Sequence, residues 1–242
     1  TIQSLKRRYG PTLDDVLNKF DDAKNKIRMI QDFEKTKNDL NTRIIASKKE
    51  LEQQCDLISK KRKTISVNFA KKVVNELSSL GFKRPAFRVD FSSIEPGPCG
   101  VDKIEFMFSA NPGENEKPLR EIASSGEISR VMLALKTVLA SADCVPILVF
   151  DEIDVNIGGI TGSVVGQKLK NLAKTHQILC ITHLPLVAAS GDIHLEVNKT
   201  VKNNRTHTMI RTLNREARIE EISRMLGGTD AAFKHARELL NS

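Results

Sequence analysis

Apolar residues recur at steps of three and four through the first third of the chain, which is the spacing of one face of an α-helix. The stripe runs from Leu13 to Leu80, and no proline or glycine interrupts residues 12–80. At 1.5 Å per residue, this pattern predicts a single helix about 100 Å long, with Thr12 as its N-terminal cap and Gly81 as its stop. A stripe of this length and regularity is typical of the seam of a coiled coil.

The seam of this helix calls for a partner helix, and too few residues precede Leu13 to supply one. The partner is therefore expected from another polypeptide, from a second copy, or from a missing N-terminal part, with residues 1–8 resembling the end of an incoming arm. The alternative is a lone amphipathic helix that lies on a partner or on a membrane surface. The length and the regular period favour the coiled coil.

From residue 84 the pattern changes to short alternating runs, which predict strands at Phe87–Phe91 and Lys103–Phe108 with a turn-rich loop, Glu95–Gly100, between them. Helical and strand patterns then alternate over residues 119–190, an order that predicts a parallel α/β layer. Two further strands and two helices are predicted at Ile193–Val197 and Thr206–Leu213, joined through Asn203–Asn204, and at residues 216–226 and 229–241. The predicted domains are an arm, residues 1–83, and an α/β lobe, residues 84–242.

Charge is distributed unevenly between these two parts. Residues 1–83 carry 19 Lys or Arg against 11 Asp or Glu, whereas residues 84–242 carry 19 of each, so the whole net charge of +8 lies in the arm. The densest cluster consists of Lys60, Lys61, Arg62 and Lys63. It fits either a solvated helix surface or a contact with the DNA backbone, and charge alone does not separate these interpretations.

Composition argues against several classes of protein. No apolar run approaches the length that spans a bilayer, and the N-terminus lacks the apolar core of an export signal. The four cysteines are far apart in sequence and form no C-x-x-C pair, which indicates reduced thiols and not a disulfide frame or a zinc site. The chain is therefore expected to be cytoplasmic, with no membrane partner.

The strongest chemical signal is the run from Pro146 to Asp154, in which four bulky apolar residues lead into two adjacent acids. It predicts a buried parallel strand with Asp151 and Glu152 at its carboxyl end, where α/β folds bind ligands. In a Walker-B element one such acid holds Mg²⁺ and its neighbour polarises an attacking water. The usual companion, a G-x-x-x-x-G-K-[ST] phosphate loop, does not occur in the sequence. A strand that merely ends in solvent is the plainer interpretation.

Two polar motifs flank this strand. Ser124–Glu127 precedes a strong helix pattern and fits either a capping box or an anion site at a helix N-terminus. His183 follows a second apolar run, Gln177–Thr182, at the end of a strand expected beside the first. A structural role and a functional role for this histidine are both open.

Taken in this order, these residues resemble the C-terminal half of an ATP-binding cassette (ABC) ATPase. The matching elements are its signature loop (Ser124–Glu127), Walker B (Phe150–Glu152), D-loop (Asp154) and switch histidine (His183). Glu127 and the long coil point to the branch related to structural maintenance of chromosomes (SMC). Further stretches resemble the bacterial RecN family of DNA repair proteins: Phe108–Glu114, Gly126–Lys136, Asp151–Gly159, Thr182–Pro185, Arg224–Gly228 and His235–Leu239.

The resemblance implies an α/β fold, namely the C-terminal lobe of an ABC/SMC-type ATPase head, which a long coiled-coil helix precedes in the sequence. It implies ATP and Mg²⁺ as cofactors, a homodimer through the heads, DNA as a partner, and a role at the nucleoid in double-strand break repair and recombination. The implied site residues are Asp151 for Mg²⁺, Glu152 as general base, His183 at the γ-phosphate, Ser124, Ser125, Gly126 and Glu127 at the nucleotide of the other head, and Asp154 across the dimer.

Two features depart from the family pattern. Ser125 replaces a glycine where the backbone approaches a phosphate, and a positive φ there would add strain. The N-terminal lobe with the phosphate loop is missing, so the chain is expected to be half of a longer protein or one subunit of a split one, and inactive alone. The alternative function is a non-enzymatic coiled-coil architectural protein that binds DNA through its basic arm. A transporter subunit fits poorly, because it has no place for the arm.

Overall fold

The computed structural model describes residues 2–202 and 205–241. Its helices and strands, in chain order, are α1 (Ile2–Tyr9), α2 (Leu13–Ser79), β1 (Ala86–Gly97), β2 (Gly100–Ser109), β3 (Lys117–Pro118), a 3₁₀ turn (Leu119–Glu121), α3 (Ser125–Leu139), β4 (Ile147–Phe150), α4 (Gly159–Leu172), β5 (Gln177–Cys180), α5 (Pro185–Ala189), β6 (Leu195–Lys202), β7 (Arg205–Thr212), α6 (Arg215–Met225) and α7 (Asp230–Asn241). The turn predicted at Asn203–Asn204 lies outside the described residues.

The long helix predicted from the apolar stripe is confirmed as α2. At its start, the Asp15 backbone N–H donates to Thr12 Oγ1 at 3.2 Å, and the Thr12 N–H donates to Asp15 Oδ2 at 2.9 Å. This reciprocal cap satisfies donors that the first turn leaves without helical partners. At its end, Gly81 adopts φ +93°, and the Phe82 N–H donates to the Leu77 carbonyl at 3.4 Å. A left-handed residue of this kind is the usual helix stop.

The chain forms two compact units. The first comprises Thr1–Lys61 with Glu95–Val101, and the second comprises Arg62–Ile94 with Asp102–Ser242. In the first unit the predicted seam of α2 is open to solvent, and five of its apolar side chains are at least half exposed: Phe20, Ile27, Ile30, Leu40 and Ile44. The division into an arm and a lobe after residue 83 stays a proposal.

The hydrophobic core lies in the second unit and joins the last turns of α2 to the strands. Leu77 and Leu80 are fully buried. The Phe69 ring packs edge-on against Phe87, with centroids 6.0 Å apart, and Phe106 lies 5.5 Å from Phe87. Since each fully buried side chain of this size contributes about 1.5–3 kcal/mol, this core fixes the end of α2 to the lobe.

The strands form three sheets, ordered β1-β2-β3, β4-β5 and β6-β7. β4 and β5 are parallel, with Ile147 opposite Gln177 and Phe150 opposite Cys180, which confirms the predicted α/β layer. β6 and β7 pair antiparallel, as predicted. The loop predicted at Glu95–Gly100 was wrong in extent, because β1 runs to Gly97 and β2 begins at Gly100.

The prediction that the acid-tipped strand is buried on both faces was also wrong. Leu148 and Phe150 of β4 are buried in the core, whereas Ile147 and Val149 are 54% and 61% exposed. The register places Leu179 beside Val149, and Leu179 is exposed as well. We call Ile147, Val149, Leu179 and Ile181 the outer face; an apolar sheet face of this kind normally packs against another layer. Within the described residues, no helix is both long and apolar enough to cross a membrane.

Candidate functional site

The two loops predicted to carry chemistry leave the parallel strands side by side. β4 ends at Phe150 and β5 at Cys180, and the Ile181 N–H donates to the Phe150 carbonyl at 2.9 Å. Asp151 and His183 therefore follow neighbouring strand ends at one edge of the sheet. This is the edge where parallel α/β layers bind their ligands.

Asp151 and Glu152 are exposed, and neither forms an ion pair within the part of the chain that the structure describes. The backbone of Glu152 adopts φ +56°, and that of Asn156 adopts φ +60°. These left-handed conformations are uncommon for residues with side chains, and each costs on the order of 1 kcal/mol or more. Both lie in residues 151–158, between β4 and α4, which we call the acidic loop. Two such residues within five positions mark this loop as strained, so its surroundings must hold it in place.

Asp154 anchors this loop through its buried carboxylate. Its side chain is 2% exposed, and it accepts hydrogen bonds from the Thr182 hydroxyl, from the His183 N–H at 2.8 Å and from the Leu184 N–H at 3.1 Å. Burial raises the pKa of this carboxyl, but the three hydrogen bonds together bring its pKa below the ordinary value. Asp154 thus ties the acidic loop to the loop after β5.

His183 lies over the same carboxylate. Its Nδ1 is 3.2 Å from Asp154 Oδ2, while its side chain is 69% exposed. At this distance the carboxylate attracts a protonated imidazole, while most of the ring stays open to solvent. The structure therefore places His183 against Asp154, at the end of the strand that neighbours β4.

The first turn of α3 also packs against the acidic loop. The Ser124 hydroxyl accepts a hydrogen bond from the Glu127 N–H at 3.3 Å, so Ser124 is the N-cap of this helix. A side chain at Gly126 would crowd this loop, because a Cβ there would lie 3.0 Å from Val155 Cβ and 3.1 Å from the Glu152 carbonyl oxygen. Ser125 is the first residue of α3 and does not have a positive φ, so the strain considered for it does not arise.

Arg130 and Ser129 fasten α3 to the loop, and the sequence did not single out either one. The Ser129 hydroxyl donates to the Asp151 carbonyl at 2.7 Å, and Arg130 donates to the carbonyls of Ile153 at 3.4 Å and Val155 at 2.9 Å. Burial lowers the pKa of Arg130, against the attraction of Glu127. The one available signal was an arginine on the apolar side of a helix, next to Val131.

Cys180 is the last residue of β5 and lies near the acidic residues. Its thiol is largely enclosed, and burial together with the charges of Asp154 and Asp151 raises its pKa to about 12. The thiol therefore stays protonated and neutral. Two carboxylates that act on one neighbouring group lie at the same strand ends, and this concentration of negative charge favours a cation.

The donors at this edge suit a hard cation that keeps much of its hydration. Among the described residues, no cluster of three or more His, Cys, Asp or Glu forms a complete metal cage. Mg²⁺ is commonly held by one or two carboxylates, with phosphates and water as the remaining ligands. The exposed Asp151 fits that pattern, and a zinc-type site does not.

The basic cluster predicted to contact DNA is partly engaged within the chain. Arg62 forms an ion pair with Asp102 at 3.0 Å, and the Asp102 side chain is only 5% exposed. The Lys63 ammonium lies 5.9 Å from the centre of the Phe91 ring. Lys60 also interacts with another group of the chain. Lys61 is the member of the cluster for which the structure describes the fewest contacts. A DNA contact through all four residues stays a prediction.

Comparison with known proteins gives relatives along the whole chain. The chain is 38% identical over 242 residues to the DNA repair protein RecN of Deinococcus radiodurans, covering 99% of this chain and 43% of that protein. It is 34% identical to RecN of Bacillus subtilis and 34% identical to RecN of Halalkalibacterium halodurans, again over 99% of the chain. The chain is a relative of RecN. It spans less than half of the length of the curated relatives it matches.

Solved structures give a second comparison for this RecN relative. The Smc head domain with a coiled coil and joint from Pyrococcus yayanosii covers 94% of the chain at 18% identity, with a TM-score of 0.48 and 43% of that chain covered. The Smc head domain with an extended coiled coil from Pyrococcus furiosus covers 92% at 18% identity, with a TM-score of 0.46 and 50% of that chain covered. No protein-family model matches the chain.

Proposed function

We propose that the chain is the C-terminal half of an SMC-like ATPase that acts in DNA double-strand break repair and recombination. The observation that carries the proposal is the meeting of three elements at one sheet edge. The N-terminus of α3 and the loop after β5 hold the acidic loop between them, while Asp151 and Glu152 stay exposed. Similarity to RecN over 99% of the chain supports the repair role.

Each residue at this edge receives a role from its environment. Asp151 would hold Mg²⁺ and order its waters, and the ion neutralises charge on a bound triphosphate. Glu152 would take the proton of the attacking water as general base, since it is exposed and not engaged in an ion pair within the described chain. His183, which lies against Asp154, would contact the γ-phosphate through a ring N–H, because phosphate oxygens accept hydrogen bonds.

The signature loop would act on the nucleotide of a second head. Ser124 accepts a hydrogen bond from the Glu127 N–H, so its own hydroxyl hydrogen remains available to a phosphate. Ser125, Gly126 and Glu127 would line the same helix start, whose free N–H groups favour an anion. In this proposal the heads form a homodimer. The role across the dimer that the resemblance implied for Asp154 does not fit the structure, because its carboxylate is buried and bonded to Thr182, His183 and Leu184 of its own chain.

The ATP-binding phosphate loop would come from a missing N-terminal lobe. The outer face of β4 and β5 supports this, because four apolar side chains on adjacent strands lie open to solvent. The exposed seam of α2 likewise supports a partner helix that completes a coiled coil. The complete protein would work in the cytoplasm at the nucleoid, with DNA as its partner.

Reconstitution tests this proposal. The chain alone should neither bind ATP tightly nor hydrolyse it, whereas co-expression with the missing lobe should give Mg²⁺-dependent hydrolysis. Glu152→Gln should then abolish turnover while the complex retains ATP. Glu220→Gln, an exposed acid on α6, is the matched control and should hydrolyse normally. Micromolar ATP binding with turnover by the chain alone, or normal turnover in Glu152→Gln, would contradict the proposal.

A further inference from the structure

The most basic stretch of the lobe lies far from the acidic edge in sequence. Residues 197–215 contain five Lys or Arg and no Asp or Glu, although residues 84–242 as a whole carry equal numbers of each. The stretch covers most of β6 and β7, which pair as a two-stranded antiparallel ribbon. Every residue of β7 is exposed. The local charge is therefore presented to solvent and is not part of a core.

The strand register sorts this ribbon into two faces. Directly opposed residues share a face, so Leu195, Val197 and Val201 lie with Ile210 on one side. The other side carries every second residue of β7, namely Arg205, His207, Met209 and Arg211, and the last three lie opposite Thr200, Asn198 and Glu196 of β6. We call this second side the cationic face.

The charges on the ribbon are neutralised at its base and not towards its tip. Arg211 donates to Glu196 across the strands at 2.7 Å, and this hydrogen bond lowers the pKa of Glu196. Neither Arg205 nor Lys199 forms an ion pair within residues 2–202 and 205–241. Lys199 lies on the opposite side, beside Thr208, so cations border the ribbon on both sides near its tip.

We propose that the β6–β7 ribbon binds the backbone of duplex DNA through Arg205, His207 and Lys199. A two-stranded ribbon has the width that the major groove admits, and strands are used in this way by known DNA-binding folds. Arg, Lys, Thr and Asn are among the side chains that contact phosphates in protein–DNA complexes. The choice of DNA as the polyanion rests on the proposed repair function, whereas the binding surface rests on the ribbon alone.

This site differs from the DNA contact predicted on the arm. In the cluster Lys60–Lys63, Arg62 is paired with Asp102, and the Lys63 ammonium lies over the Phe91 ring. The ribbon has no acid within two residues of Arg205 or Lys199 along the chain. Displacement of counterions from DNA is therefore expected to come mainly from the ribbon.

The test is the salt dependence of DNA binding by this chain without nucleotide. Binding to a short labelled duplex is followed by fluorescence anisotropy between about 50 and about 200 mM salt. Lys199→Gln with Arg205→Gln should lower the salt slope by about 1.8, at about 0.9 for each phosphate contact. The loss of affinity across that salt range should accordingly shrink by about 12-fold.

The matched control removes the same charge from another exposed surface. Lys170→Gln with Lys174→Gln, at the end of α4, should leave the slope unchanged. Thermal unfolding should be the same for both double variants, because all four side chains are exposed. In the unmodified chain, duplex DNA should slow amide hydrogen exchange in β6 and β7.

Several results would overturn the inference. These are no binding of the duplex by the chain at about 50 mM salt, an unchanged slope in the ribbon variant, or an equal drop in the control. Polyglutamate that competes as well as DNA of equal charge would indicate an acidic protein partner instead. Failure of ATP hydrolysis after reconstitution would not affect this experiment, so the two proposals fail separately.

Discussion

Asp151 and Asp154 stand three residues apart and meet opposite environments. Asp154 is buried and accepts three hydrogen bonds, whereas Asp151 is exposed and has no ion pair in the described chain. A carboxylate with all its partners inside the protein serves the structure, and one left open can serve a ligand. The acidic loop therefore carries one buried positioning residue, Asp154, and one exposed carboxylate, Asp151, that is open to a ligand.

Asp154→Asn should lower the free energy of unfolding by about 3 kcal/mol at neutral pH, because charge-assisted bonds to two N–H groups and a hydroxyl are weakened together. All three donors contact Oδ2, so an amide oxygen in that position would still accept from them but without the negative charge. Urea unfolding of the chain measures the change. Asp151→Asn is the control and should change the free energy of unfolding by less than about 0.5 kcal/mol.

The difference between the chain and its Asp154→Asn variant should depend on pH in a defined direction. The pKa of Asp154 is lowered from 3.8 in the folded protein. Its stabilising contribution is therefore fully present above 3.8 and is lost as the pH falls through the folded-state pKa. Urea unfolding at decreasing pH should show the two proteins converging. A constant gap down to the acid limit would contradict the assignment.

At the scale of elements, Arg130 joins α3 to two other parts of the lobe. Its guanidinium donates to the carbonyls of Ile153 and Val155 and lies 5.2 Å from the centre of the Phe82 ring, which follows the end of α2. Its Nε has no hydrogen-bond partner among the described residues. One buried side chain thus connects α3, the acidic loop and the end of α2.

Arg130→Met should destabilise the second unit by about 2 kcal/mol, since two carbonyls lose their donors and the contact with Phe82 loses its charge. Hydrogen exchange should rise selectively in residues 152–155. Arg120→Met is the control: Arg120 is 64% exposed and pairs with Glu105 at the surface, so its loss should cost less than about 1 kcal/mol. Unchanged exchange in residues 152–155 would show that Arg130 does not hold the loop.

The sequence predicted well those elements whose structure is determined by neighbouring residues in the chain. α2 follows from an uninterrupted apolar period and a Thr12 cap, and β4 follows from four apolar residues before Asp151. The left-handed conformation of Glu152 has no local signal, because it is imposed by α3 and by Asp154. The contacts of Arg130 likewise depend on tertiary packing, so neither feature was readable from the sequence.

Across the whole molecule, exposed apolar surface occurs where the sequence predicts burial. The outer face of β4 and β5 is one such surface, and the seam of α2 is another. An apolar run predicts a strand covered on both faces only if the covering layer belongs to the same chain. The relatives are more than twice as long as this chain, and under the proposed function their additional lobe would cover these surfaces.

Val149→Lys tests whether the outer face seats the missing lobe. Val149 is 61% exposed, so the chain should still fold, and it should self-associate less than the unmodified protein. Association with a co-expressed N-terminal lobe should weaken by at least about tenfold, because complex formation would bury an unpaired ammonium. Val67→Lys, a 60% exposed position on α2, is the matched control and should bind the lobe normally. Equal affinity of Val149→Lys and the unmodified chain, measured by calorimetry, would place the lobe elsewhere.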